Sequence, residues 1–358
     1  MSVRLISLLL ACALYVVAPE RLGADDGDKP SSSWAALPVL YYTSETGLAG
    51  GAYGVIFYPV GDAKVLSNTD ASLVYTQKNQ MIVGSRTEIF RPDSRMGIGT
   101  YYEQFPDVFY GFGPDTPDAA EEDFTTRYVN VDAMWQRRFG GDLYFGPSVD
   151  VSWTELTDTE AGGLLDARNL PGTIEAYVLS APGLLLTWDN RDNTSFPRGG
   201  AYHQAAWRLF SRHLGSDYAF RRYSVNLRHY LPVGRQSALA VQGFLDHVSG
   251  EAPVFSYPRL GADKLRGYVN RYVDRSLGLL RVGFRAPALV WRVGFAVYGG
   301  IATVADAPNR FRADRIKAGF GAGLRFRLDK NSGLNIRIDF GIGENGSSSL
   351  DFLPGEGF

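Results

Sequence analysis

Three residues in the run RLGADKLRGYVNRYVDRS (259–276) have the types and spacing to do chemistry: Arg266, Gly267 and Tyr268 stand side by side. Arginine presents N–H donors in a rigid fork that matches a carboxylate. The glycine lets the backbone turn where a side chain would obstruct it. The tyrosine adds an apolar ring with a polar tip. Such a trio would pin one segment onto an acidic surface. Its setting is a connection running from about Ser249 to Ser276. Loops beyond about 12–15 residues are uncommon in compact proteins and tend to be functional or disordered. The aromatics and evenly spaced charges of this one argue for order.

Other chemistry finds little support. There are four histidines, His203, His213, His229 and His247. Asp246 adjoins His247 in FLDHVSGE, but consecutive strand residues face opposite sides, so the two cannot form a dyad without a bulge. No Ser/His pair or carboxylate cluster recurs at a convergent spacing, and no His/Cys/Asp spacing reads as a metal site. No catalytic residue, metal or cofactor is therefore expected. GLAGGAYG (47–54) reads as small residues permitting curvature in a hairpin rather than as a phosphate loop. Net charge is −2, from 36 basic and 38 acidic residues, so no global field points to nucleic acid.

The N-terminus, MSVRLISLLLACALYVVAPERLGADDGDKP, sets Arg4 before an apolar run from Leu5 to Ala18, then small residues at Gly23 and Ala24. This pattern predicts a signal peptide over 1–24 with cleavage after Ala24. The run is shorter than the roughly 20 residues a spanning helix needs. LLAC (Leu9–Cys12) offers lipidation at Cys12 as the alternative, disfavoured because the apolar run continues past it. Cys12 is the one cysteine, so cleavage would leave neither disulfide nor thiol chemistry. A short periplasmic tail, 25–36, would follow.

The elements that must hold Arg266 show a period of two. In SGLNIRIDFGIG the apolar residues Leu334, Ile336, Ile338, Phe340 and Ile342 alternate with Asn335, Arg337, Asp339 and Gly341, which places each set on one face of a strand. FGAGLRFRLD and RRYSVNLRHYL repeat the pattern, with Arg325, Arg327 and Arg228 on the polar side. These strands run to about 9–12 residues, where soluble strands average about 5–6. Tight connections such as KNSG (330–333) and GRQ (234–236) alternate with longer polar ones, including DTPDAAEEDF (115–124). Apolar-out, polar-in strands with short turns at one end and long loops at the other are the signature of a transmembrane β-barrel. Tyr41, Tyr42, Tyr101, Tyr102, Trp188 and Trp207 are then expected largely in interfacial girdles. The spacing predicts an all-β, antiparallel barrel of about 16 strands over 37–358, in the outer membrane.

Several stretches, in order along the chain, resemble the BamA/TamA superfamily of outer-membrane assembly barrels, the bacterial surface antigen superfamily. KLRGY (264–268) is similar to its lumenal-loop motif, LPVLYYTSETGLAGGAYGVIFY (37–58) to its first hairpin, and FYGFGPDT (109–116) to its glycine-rich segment. TWDNRDNTSFPRGGAYH (187–203) resembles its mid-barrel strand and turn, while GAGLRFRL and IRIDFGIG resemble its penultimate strands. Phe358 matches the terminal aromatic that serves such barrels as an assembly signal. The resemblance implies that the 249–276 loop folds into the lumen, carrying Leu265, Arg266, Gly267 and Tyr268. It also implies that Arg266 meets lumenal partners, for which Asp339, Arg325 and Arg337 are the candidates, Asp339 first by its parity. Two positions depart from the family pattern: Gly283 stands where a glutamate is usual, and Tyr298 near an expected aspartate. The chain most resembles the subgroup without POTRA domains, so a separate periplasmic partner would deliver clients. The expected function is insertion or assembly of outer-membrane components through a weak strand seam; the alternative is a passive channel, or an anchor or conduit for a partner. Lipid, barrel clients and a periplasmic protein are the expected partners of a monomeric, non-enzymatic barrel.

Overall fold

A computed structural model describes residues 32–43, 47–63, 65–165, 170–173, 175–234, 236–261, 263–268, 271–328 and 335–356. The signal segment with Cys12, most of the expected tail, the KNSG turn and Phe358 lie outside these residues.

The strands are β1 (Ser33–Thr43), β2 (Gly47–Tyr58), β3 (Ser67–Thr76), β4 (Met81–Phe90), β5 (Ser94–Phe109) and β6 (Glu122–Gly140). There follow β7 (Leu143–Thr157), β8 (Tyr177–Asp189), β9 (Gly200–Phe210), β10 (Phe220–Val233), β11 (Ser237–Gly250), β12 (Arg259–Leu260) and β13 (Tyr272–Val273). The last five are β14 (Ser276–Val290), β15 (Val293–Ala305), β16 (Lys317–Arg327), β17 (Asn335–Ile342) and β18 (Ser348–Pro354). Sixteen of them form one sheet in chain order, with β11 passing to β14; β12 and β13 pair separately. All the pairings in that sheet are antiparallel, as chain neighbours joined by short turns must be.

Alternation fixes the register. On β16, Phe320 and Leu324 are 63% and 53% exposed, while Arg325 between Leu324 and Phe326 is 2% exposed. A charged residue inside and large apolar residues outside invert the order of a soluble protein and match a wall facing lipid. The sheet is a transmembrane barrel. Strands far apart in its order face one another across a lumen: one cavity of about 390 Å³ is lined by Tyr53 and Val55 of β2, Asp70 of β3, and Arg228 and Tyr230 of β10. Ala35 and Leu37 of β1 and Val55 and Phe57 of β2 share a buried cluster with Leu328 and Ile336, which brings the two ends of the sheet together. Among the described residues, no rung joins β1 to β18.

Connections at one end include 91–93, 141–142 and 291–292, and at the other 110–121, 158–176, 251–275 and 306–316. The long loop therefore begins after Gly250 and ends before Ser276, slightly inside the expected limits, and carries the β12–β13 hairpin. Sheet structure begins at Ser33, ahead of Leu37. Tyr101 does not belong to an interfacial girdle. Odd-numbered positions of β5 face the lumen, where its hydroxyl donates to Glu103 (2.5 Å) and its ring meets Tyr128.

Candidate functional site: the lumenal loop and its clamp

The wall that receives the loop is made flat by its sequence. Gly319, Gly321 and Gly323 alternate along the inner face of β16, and Gly341 sits on that of β17. A Cβ on Gly341 would collide with Arg266 Cβ and lie 2.7 Å from Gly267 N; one on Gly319 would lie 2.8 Å from Arg266 O. Glycine is what lets the loop backbone lie against the sheet. Gly267 has φ +95°, and a side chain there would strike the backbone of Ile342 and Gly343. Only glycine meets both demands.

Arg266, 5% exposed, lies between two carboxylates. Its Nη2 is 2.7 Å from Asp339 Oδ2 and its Nε 3.9 Å from Asp351 Oδ2. Asp339 and Asp351 are direct cross-strand partners on β17 and β18. Like charges so placed repel, and the guanidinium offsets that repulsion. Asp339 also receives Arg325 Nη1 at 2.5 Å and stands 3.7 Å from Arg337 Nε. Arg266 caps the ring of Tyr298 at 4.5 Å. Gly283 and Tyr298, the two departures from the family pattern, are paired across β14 and β15. An aromatic face thus takes the cation where the pattern has carboxylates, a contact that gains strength when desolvated.

The flanking residues spread the attachment. Leu265 joins a buried cluster with Leu260, Tyr268, Tyr272, Leu277 and Leu279. Gly267 N–H donates to Ser349 Oγ (3.0 Å). The Tyr268 hydroxyl donates to Ala318 O (2.7 Å) and accepts from Glu344 N–H (3.1 Å); burial pushes that hydroxyl up to about 12. From β14, Arg281 donates to Asp263 O and Lys264 O (3.0 and 2.8 Å) and to Gln242 of β11.

At the long-loop end the same connection forms a cap. Arg259 of β12 pairs with Asp107 of β5 (3.1 Å), and Val273 of β13 bridges Phe112 in the 110–121 loop. Arg271 Nη2 donates to Thr116 O (2.9 Å). Phe112 contacts both Phe109 and Tyr257, and Phe124 contacts Phe255. Apolar rings and hydrogen bonds thus tie the 110–121 and 251–275 loops together over the lumen.

The 68–346 segment matches the model of the Omp85 superfamily domain. The chain belongs to the Omp85 superfamily. Among solved structures, this Omp85 fold is similar to BamA from Haemophilus ducreyi lacking POTRA domains 1–3, with a TM-score of 0.56 and 14% identity over 97% of this chain and 76% of that one. It is similar also to CdiB from Acinetobacter baumannii, with a TM-score of 0.57 and 10% identity over 91% of this chain and 59% of that one. No curated protein matches the sequence significantly. The Omp85 chain is an outer-membrane β-barrel of the assembly and secretion family.

The structure gathers Leu265, Arg266, Gly267, Tyr268, Asp339, Arg325 and Arg337 on one wall, β14 to β18. It separates Asp246 from His247: Asp246 pairs with Arg222 inside (2.6 Å), and His247 Nδ1 lies 2.8 Å from Ser276 Oγ. Asp351, Ser349 and Glu356 were missed. Alternation in SSLDFLP would have placed Ser349 and Asp351 inside, but Glu356 lies beyond the strand, where period gives no signal.

Proposed function

We propose that this Omp85 barrel acts in the insertion or assembly of outer-membrane components, with client strands or lipid entering at a weak seam between β1 and β18. The observation that carries the reading is the clamped loop: Arg266 fixes it across β17 and β18 beneath a tied cap. A loop clamped in the lumen beneath a cap favours a route at the wall over one down the axis. β18 has seven residues, against eleven in β1, so the closing ladder is limited by its shorter member. Gly47, Gly50 and Gly51 in β2 make the first hairpin easier to deform. Arg266, Gly267 and Tyr268 act as the clamp, with Asp339, Arg325 and Arg337 as its seat, and a separate periplasmic protein delivers clients.

The test is assisted folding. Unfolded barrel clients are added to vesicles holding the wild-type protein, Arg266→Ala, or nothing. Faster insertion that the substitution abolishes supports the reading; equal rates in all three oppose it. A passive channel or conduit draws on a different observation, two adjoining lumenal cavities of about 390 Å³ each that share Glu88, Arg191, Thr194 and Arg228. Interior arginines would favour anions, and anion-selective conductance in planar bilayers would support that reading instead.

A further inference from the structure

After β18 the chain leaves the sheet. Gly355 has φ +75°, the left-handed region that glycine enters without strain, and its N–H donates to Asn335 O at 2.7 Å. The turn aims Glu356 inward. Its side chain is 3% exposed, with Oε2 3.0 Å from Arg325 Nε and 3.9 Å from Arg285 Nη1. Oε1 accepts from Asn335 Nδ2 at 3.1 Å. Gly355 and Glu356 line the same cavity as Tyr53, Val55 and Phe57 on the inner face of β2. Glu356 therefore lies in the lumen, between the first hairpin and the β14–β17 wall.

Charge explains why it stays there. Arg266, Arg281, Arg285, Arg325 and Arg337 are all buried on this wall, and Asp339 and Asp351 are the inward carboxylates of β17 and β18. Two carboxylates leave these five guanidiniums undercompensated, and Glu356 supplies a third. A buried carboxylate is tolerated when it is both paired and hydrogen-bonded, and Glu356 is both. Leaving the lumen would cost it these partners and would leave Arg325 and Arg285 facing fewer acids.

We infer that Glu356 is an ionic latch that holds the segment just after β18 inside the barrel, fixing the short-turn end of the β18 edge through side chains. Gly355 is the pivot, its left-handed conformation lying where the chain turns from the edge into the lumen. Releasing the latch frees Gly355, Glu356 and the end of β18 while the β14–β17 ladder stands. The latch does not depend on the insertion reading: it exists whether or not a client passes.

Hydrogen exchange of the folded, full chain in lipid nanodiscs, resolved at Gly355, tests it. In the wild-type protein this amide is expected to exchange at least about 100-fold more slowly than in the urea-unfolded chain, and Glu356→Gln to speed it at least about tenfold with β14 amides unchanged, since local opening spans that range. Glu356→Asp keeps the charge and restores most of the protection, which mere packing would not do. If Gln prevents folding, Asp decides: folding and protection recovered by charge support the latch. Unfolded-like exchange at Gly355 in the wild-type protein, an unchanged rate in folded Gln variant, or no recovery with Asp would overturn it.

Discussion

Gly341→Ala asks for the smallest change that should undock the loop. The new Cβ would meet Arg266 Cβ, with Arg266 C and Gly267 N each at 2.7 Å, against the roughly 3.5–4.0 Å of a relaxed carbon contact. The deficit is about 1 Å, and it falls on loop backbone that cannot swing aside as a side-chain tip would. Overpacking of this kind costs about 1–3 kcal/mol. The better strand propensity of alanine does not offset it, because β17 is formed in both the docked and the undocked state. At about 1.4 kcal/mol per tenfold, the undocked population rises about 5- to 140-fold. Trypsin cleavage after Lys264 and Arg266 reads that population when reclosing outpaces cleavage. Gly50→Ala is the control, since a Cβ there meets nothing within 4 Å. Equal cleavage rates in Gly341→Ala and the control, with both barrels folded, would refute the argument that glycine is required for close approach.

Asp339→Asn removes the carboxylate shared by Arg266, Arg325 and Arg337; breaking such a buried pair costs about 3–5 kcal/mol, read as a lower urea midpoint, and an unchanged midpoint would contradict it. Tyr268→Phe strips partners from Ala318 O and Glu344 N–H, at about 1–3 kcal/mol for unsatisfied buried groups, and should speed cleavage at Lys264 much as Gly341→Ala does. In the cap, burial first and Asp306 second hold the Asp274 carboxyl above its ordinary range, while the Arg275 N–H and guanidinium oppose them. A carboxyl raised by folding weakens the folded state once ionised, so cap stability should rise as pH falls through its folded value and level off below the unfolded one. Asp274→Asn should flatten that slope in intrinsic-rate-corrected hydrogen exchange of the 251–275 loop; an equal slope in both proteins would locate the titration elsewhere.

The wall of the barrel was legible because lipid outside and polar lumen inside impose one period on every strand. Arg325, Arg337 and Asp339 could be placed inside from parity alone. The register between β17 and β18 was not, because it depends on a five-residue connection that carries no period, so the facing of Asp339 and Asp351 came only with the structure. Arg266 could be singled out by its loop and neighbours, yet its contact with Tyr298 required knowing that β14 and β15 pair Gly283 with that ring. Tyr101 was misplaced because a tyrosine fits a membrane interface and a lumenal hydrogen bond equally well. Glu356 was out of reach, since an irregular tail beyond the last strand obeys neither rule.

Where a client touches the barrel tests the central claim most directly. A photo-crosslinking residue is placed at the sheet edges, replacing Ala36 of β1 or Ser348 of β18, or in the lumen, replacing Gln204 of the second cavity. An unfolded barrel client is then captured during insertion into vesicles. Adducts at Ala36 and Ser348 with none at Gln204 are the predicted result. Adducts at Gln204 alone would show passage through the lumen and contradict a route at the seam.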